Sequence, residues 1–133
     1  MNIEDFVINV FRDKTDLASA PYHEHLFRVA APFYGELRSI ALLHDILEDT
    51  SVTEETPRLL FSPFVVDTVV VLTRKDETYE DYIEQVKDNE YATLVKIEDL
   101  KDNLNITRLA ELTDKDISRL KRYFKAYKYL TND

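Results

Sequence analysis

Apolar residues recur every three or four positions in one segment after another, the spacing of helices that each bury one face. Over residues 2–12, Ile3, Phe6, Val7 and Val10 keep this spacing with Glu4 and Asp5 in the first turn, which predicts a short amphipathic helix. Residues 13–20 are polar and read as a loop. Pro21 suits the first turn of a second helix, and Gly35 suits its end near Tyr34. Residues 36–48 read as a third helix. Thr56-Pro57 and Ser62-Pro63 each resemble an N-cap followed by proline at the first helical position, predicting separate helices over 57–61 and 63–73, the second deeply buried. Thr78 with Asp81 resembles a capping box starting a helix that runs to about residue 88. Ala92, Leu94, Val95, Ile97, Leu100, Leu104 and Ile106 mark another, with Asp99 and Asn103 one turn apart on one face. Thr113 and Asp116 repeat the capping pattern before Ile117, Leu120, Phe124 and Tyr127. Lys121, Arg122, Lys125 and Lys128 fill the C-terminal half of that last segment, which reads as a docked amphipathic helix rather than a partner-binding one.

Composition supports an all-α chain. One Gly and four Pro in 133 residues are too few turn formers for a hairpin-rich sheet protein. The length fits a single domain over residues 1–133 with a working core, expected as a bundle of about seven to eight helices. No repeat, linker or low-complexity segment divides it. The longest apolar stretch, 64–72, is broken by Asp67 and Thr68 and is too short for a membrane span, so no membrane partner is expected. The first residues lack a signal peptide's basic and apolar regions, and a cytoplasmic setting is expected. The absence of Cys removes disulfides, thiolate nucleophiles and cysteine metal sites. A net charge of −9 and a pI near 4.8 argue against a nucleic-acid partner, because phosphate backbones are gripped by clustered Lys and Arg. A small anionic substrate is compatible with that charge if a cation and local basic residues offset it.

The candidate chemistry centres on His44-Asp45, set in Ile40-Ala41-Leu42-Leu43-His44-Asp45-Ile46-Leu47 and followed by Glu48-Asp49. Four ionisable side chains stand where the pattern indicates core. At about 100° per residue in a helix, 44 and 48 share one face and 45 and 49 the next, which makes one polar edge. Buried charge persists only when paired, hydrogen-bonded or bound to an ion. The bland alternative is a core histidine beside a solvated helix end. His25 upstream and Asp99 downstream tip the balance, since two His and two Asp form a mixed N/O ligand set suited to Mn²⁺, Fe²⁺ or Zn²⁺ with positions left for water and a phosphate oxygen. His23 and His25 lie about 200° apart on a helix and cannot face one ion, so His25 is the candidate and His23 a surface residue. Arg74 and Lys75 read as ordinary cations at a helix C-terminus, Lys96 as a snorkelling surface lysine, and Tyr79 and Tyr82 as packing residues with wet hydroxyls.

The ordered set Pro-Tyr-x-x-His-x-x-x-Val-Ala at 21–30, Leu-Leu-His-Asp-x-x-Glu-Asp-Thr at 42–50, Val-x-x-Leu-Thr at 69–73 and Val-Lys-Ile-x-Asp-x-x-x-Asn at 95–103 resembles the HD-domain phosphohydrolases. Within them it is most similar to the hydrolase domain of RelA/SpoT proteins and the small alarmone hydrolases, over roughly residues 12–110. The resemblance implies an HD-type helical bundle and a metal-dependent phosphohydrolase that removes the 3′-pyrophosphate from (p)ppGpp-like nucleotides. It implies His25, His44, Asp45 and Asp99 as metal ligands, Glu48 and Asp49 as the groups that position or deprotonate the attacking water, and Asn103 as a nucleotide contact. One divalent ion is implied, Mn²⁺ first, with Zn²⁺, Fe²⁺ or Ni²⁺ as alternatives. Where the family carries an Arg-Lys pair shortly before Pro-Tyr, to pack on guanine and steer phosphates, this chain offers Arg12 and Lys14 in Arg12-Asp13-Lys14-Thr15-Asp16, with a slightly longer loop to Pro21. The family's Asp-Arg-x-His-Asn is here Asp99-Leu100-Lys101-Asp102-Asn103, preceded by Glu98, a more acidic nucleotide wall. Two rival functions stand beside this one: an HD-type nucleotidase acting on nucleoside monophosphates, which would release orthophosphate rather than pyrophosphate, and a catalytically silent nucleotide-binding regulator.

Overall fold

Among the residues described, 2–132 of a computed structural model, nine helical segments follow one another and no strand forms. They are α1 (Ile3–Val10), α2 (Tyr22–Ala30), α3 (Gly35–Leu43), α4 (Ile46–Asp49), α5 (Glu55–Leu60), α6 (Pro63–Val71), α7 (Tyr79–Lys87), α8 (Glu90–Leu104) and α9 (Asp114–Thr131). Most starts fall where a short polar side chain accepts a free N–H of the first turn. Asn2, Ser62, Thr78 and Asn89 do this for α1, α6, α7 and α8, and Thr113 with Asp116 closes a complete capping box on α9. Pro63 stands at the start of α6, where its missing N–H costs nothing.

Three boundaries differ from the sequence expectation. α2 ends at Ala30 rather than near Tyr34, and Gly35, at φ 58°, instead turns the chain into α3. The helix expected over 36–48 is two, because His44 and Asp45 form a turn between α3 and α4; this is why the segments exceed seven or eight. α5 begins at Glu55, with Pro57 buried inside its first turn and no side-chain cap.

α8 is the central strut, packed against α2, α3, α6, α7 and α9. Leu26 and Val29 of α2, Ile40, Leu42 and Leu43 of α3, Val66 and Val69 of α6, Val86 of α7 and Val95 and Leu100 of α8 are fully buried around it. Each such side chain contributes about 1.5–3 kcal/mol relative to exposure. α6 is as buried as its pattern indicates, with Val65, Val66, Thr68 and Val69 inside. α9 docks on the bundle through Ala126 and Leu130. Its last turn is held by the Lys87 ammonium, which donates to the carbonyls of Tyr129, Leu130 and Asn132 at 3.1, 3.3 and 2.8 Å. No helix among the described residues is long and apolar enough to cross a membrane.

Candidate metal centre and its cleft

α2, the α3–α4 turn and α8 each deliver part of one polar cluster into this apolar interior. His25 lies one turn into α2, His44 and Asp45 form the break after α3, and Asp99 sits in the middle of α8. One ligand atom from each of His25, His44, Asp45 and Asp99 lies within 4.8 Å of all the others. His25 Nε2 is 2.9 Å from Asp99 Oδ1 and 3.9 Å from Asp45 Oδ2, and His44 Nε2 is 3.2 Å from each of those oxygens. His25, His44 and Asp99 are buried.

The hydrogen bonds outside the cluster decide which nitrogen each imidazole offers to it. His44 Nδ1 lies 2.6 Å from the Ala41 carbonyl, which only accepts, so Nδ1 carries the proton. Its Nε2 is then the nitrogen that faces the cluster and would serve as the lone pair for an ion, and this buried nitrogen has no hydrogen-bond partner. His25 Nδ1 lies 2.6 Å from Asp102 Oδ2 and donates to it, again turning Nε2 inward. Two inward imidazole nitrogens and two carboxylates, largely buried, are a donor set for a borderline divalent cation.

Without a cation, protons must hold the cluster together. Burial disfavours charged His25, but hydrogen bonds to Asp102 and Asp99 and the Asp45 charge outweigh it and push His25 up to about 10. His44 is raised in the same way, by the Asp45 and Asp99 charges acting against its burial. Burial opposes ionisation of Asp99, yet the Lys96 ammonium and both histidines hold it well below the usual carboxylate range. Lys96 is therefore no surface lysine. Its side chain is 13% exposed, and its Nζ donates to Asp99 Oδ2 at 2.8 Å and lies 5.3 Å from the Tyr82 ring centroid.

The cluster forms one wall of a cleft of about 460 Å³, within the range of small-molecule sites. Tyr22 spans its floor, its hydroxyl donating to Asp45 Oδ2 at 2.6 Å and lying 3.2 Å from Asp49 Oδ2. Burial and these carboxylates raise the Tyr22 phenol, so it stays protonated and donates. Glu48 stands at the rim, where its Oε1 accepts the Arg74 backbone N–H at 2.8 Å. Partial desolvation, with Asp45 adding to it, pushes both Glu48 and Asp49 above the usual carboxylate range. Asn103 lines the cleft and donates to Asp99 Oδ1 at 3.2 Å. Lys14 also lines it, 5.2 Å from the Tyr22 ring centroid, whereas Arg12 is exposed and lies outside the lining.

Several cleft residues were read otherwise or passed over in the sequence. Arg74 and Arg122 line the cleft and stack on Tyr79 at 5.7 and 4.9 Å, beyond the role expected of a helix-end cation. The Tyr79 hydroxyl is buried without a partner, and Tyr82 donates to the Leu72 carbonyl at 2.6 Å, so neither hydroxyl is wet. Arg108, also in the lining, pairs with Asp16 at 3.1 Å. Tyr22, Arg28 and Asp102 gave one signal only, their place inside or beside the motifs. His23 faces away and packs on Phe27.

No family model matches the chain, and no curated protein matches it. Among solved structures, it is similar to a metazoan ortholog of SpoT that hydrolyzes ppGpp and plays a role in starvation responses. The TM-score is 0.79 and the identity 23%, over 98% of this chain and 84% of that one. The chain thus shares the all-helical fold of that SpoT ortholog.

Proposed function

We propose that the protein is a metal-dependent phosphohydrolase that removes the 3′-pyrophosphate from (p)ppGpp-like nucleotides. One observation carries this reading: four ligand atoms from three elements converge within 4.8 Å, with the buried His44 Nε2 unpartnered among them. The similarity in fold to a ppGpp hydrolase supports the substrate class. His25, His44, Asp45 and Asp99 would hold one divalent ion, Mn²⁺ first, with Zn²⁺, Fe²⁺ or Ni²⁺ as alternatives. When bound, such an ion polarises phosphoryl oxygens and acidifies water.

The remaining work falls to the chain's own groups. Glu48 and Asp49, with carboxyls held above their usual range by partial burial, are suited to accept the proton of the attacking water. As the water oxygen bonds to phosphorus and the bond from phosphorus to the 3′ oxygen breaks, that oxygen takes up a proton and pyrophosphate leaves. Tyr22 keeps Asp45 and Asp49 in register through its hydroxyl. Lys14, Asn103, Arg74 and Arg122 line the walls on which an anionic nucleotide would lie. Arg12, outside the lining, would act only through its longer-range charge.

The test is hydrolysis of guanosine 3′,5′-bis-diphosphate with Mn²⁺, wild type beside Asp45→Ala, with products resolved. GDP and pyrophosphate from the wild type alone are expected. Orthophosphate released from nucleoside monophosphates would instead favour the nucleotidase, and nucleotide binding without turnover the silent regulator.

A further inference from the structure

The geometry points to Asp102 and Arg28 as a relay that fixes His25 for its metal: Arg28 orients Asp102, and Asp102 holds the proton of His25 on Nδ1 so that Nε2 faces the ion. This rests on the metal reading above and adds two positioning residues to it. The two histidines of the cluster are oriented by different means. His44 Nδ1 is held by the Ala41 carbonyl, a main-chain acceptor that no neighbouring side chain can replace. His25 Nδ1 is held by a side chain on another helix, 77 residues away, at 2.6 Å.

That carboxylate is itself gripped on both oxygens. Arg28 Nε donates to Oδ1 at 2.7 Å and Arg28 Nη2 to Oδ2 at 3.0 Å, the forked pairing that a lysine cannot reproduce. Arg28 lies on α2 one turn after His25, so ligand and clamp ride on the same helix while Asp102 reaches them from α8. The Asp102 side chain is 13% exposed, and every near donor is one of these two residues. A carboxylate behind a ligating imidazole fixes its tautomer and strengthens its lone pair, and losing such a partner weakens metal binding about tenfold to a hundredfold. An amide at 102 must turn its NH₂ toward either His25 or Arg28, so Asp102→Asn breaks the relay whichever way it sits.

The experiment uses the full chain with Zn²⁺ as a diamagnetic probe, measuring affinity by chelator competition and the His25 tautomer by long-range ¹H–¹⁵N spectra, with signals assigned from His25→Gln. In the wild type, His25 should carry its proton on Nδ1 and bind zinc through Nε2. Asp102→Asn should bind zinc about tenfold to a hundredfold more weakly. Arg28→Met should lose less, and the double variant no more than Asp102→Asn alone, because Arg28 acts through Asp102. A clamp that merely ties α2 to α8 would lower the melting temperature and leave zinc affinity and tautomer unchanged, which would overturn the relay. Should Asp102→Asn not fold, wild-type affinity in Arg28→Met overturns it equally. A wild type that binds no zinc removes the metal reading and the relay together; a binding wild type with equally binding variants removes only the relay.

Discussion

The Tyr22 hydroxyl bridges two carboxylates with different proposed tasks, Asp45 at 2.6 Å and Asp49 at 3.2 Å. One belongs to the ligand cluster and the other to the proton-accepting edge, so a single donor sets their spacing. Hydrogen bonds to charged groups contribute about 1.5–3 kcal/mol, or about ten- to a hundredfold in rate. Tyr22→Phe is expected to lower kcat by that amount. The fold should survive, because the ring still stacks on Phe11 at 5.3 Å. Steady-state rates beside a melting curve check this, and an unchanged kcat would remove Tyr22 from the site.

The metal should matter more as pH rises. In the metal-free chain His25 is raised from its ordinary 6.5 to about 10, by Asp102, Asp99 and Asp45 acting against burial. A raised folded value stabilises in full below about 6.5, and that contribution is lost as pH climbs through about 10. A cation displaces this proton, so its affinity increases over the same window. Melting temperatures with and without Mn²⁺ should diverge from pH 6.5 upward, and a constant gap would contradict the proton competition.

A second pH effect belongs to the loop over 13–20. Asp16 accepts from the Ala18 and Ala20 amides at 2.8 and 3.0 Å and from Arg108 at 3.1 Å. Slight burial works against its charge, but these bonds outweigh it and hold the carboxyl below its ordinary 3.8. The stabilisation is complete above that value and fades as pH falls through the lower folded one. Asp16→Asn should flatten the acid limb of the melting temperature below about pH 4. A limb as steep as the wild type's would place the acid sensitivity elsewhere.

Lys14 and Arg12 should separate in kinetics. Lys14 lines the cleft and Arg12 does not. Removing one partly solvated charge from a phosphate contact costs about 1 kcal/mol, so Lys14→Gln is expected to raise KM about fivefold. Arg12→Gln should change it less than twofold by comparison. Equal effects would mean that the loop takes another path when substrate binds.

What could be read from the chain divides by distance along it. Ser62-Pro63 and the Thr113–Asp116 box are contained in four residues, and α6 and α9 start where those signals stand. The histidine spacing at 23 and 25 likewise needed only helix geometry to separate a packed ring from an inward one. The turn at His44–Asp45 was hidden because the apolar period continues through it, while the partners of its side chains, Tyr22 and Asp99, come from other elements. Lys96 looked like any helix lysine until Asp99, three residues on, lay buried beside it. Arg28 and Asp102 meet across 74 residues, and no local pattern announces that meeting.

α9 is capped at its start by the Thr113–Asp116 box, within its own first turn, and tied to α7 at its finish by Lys87. Arg122 and Tyr123, near the middle of that helix, line the cleft. Lys87, on α7, thus fixes the end of the helix that carries two cleft residues. An ion pair between Asp16 and Arg108 joins the loop over 13–20 to the segment between α8 and α9, and both residues line the same cleft.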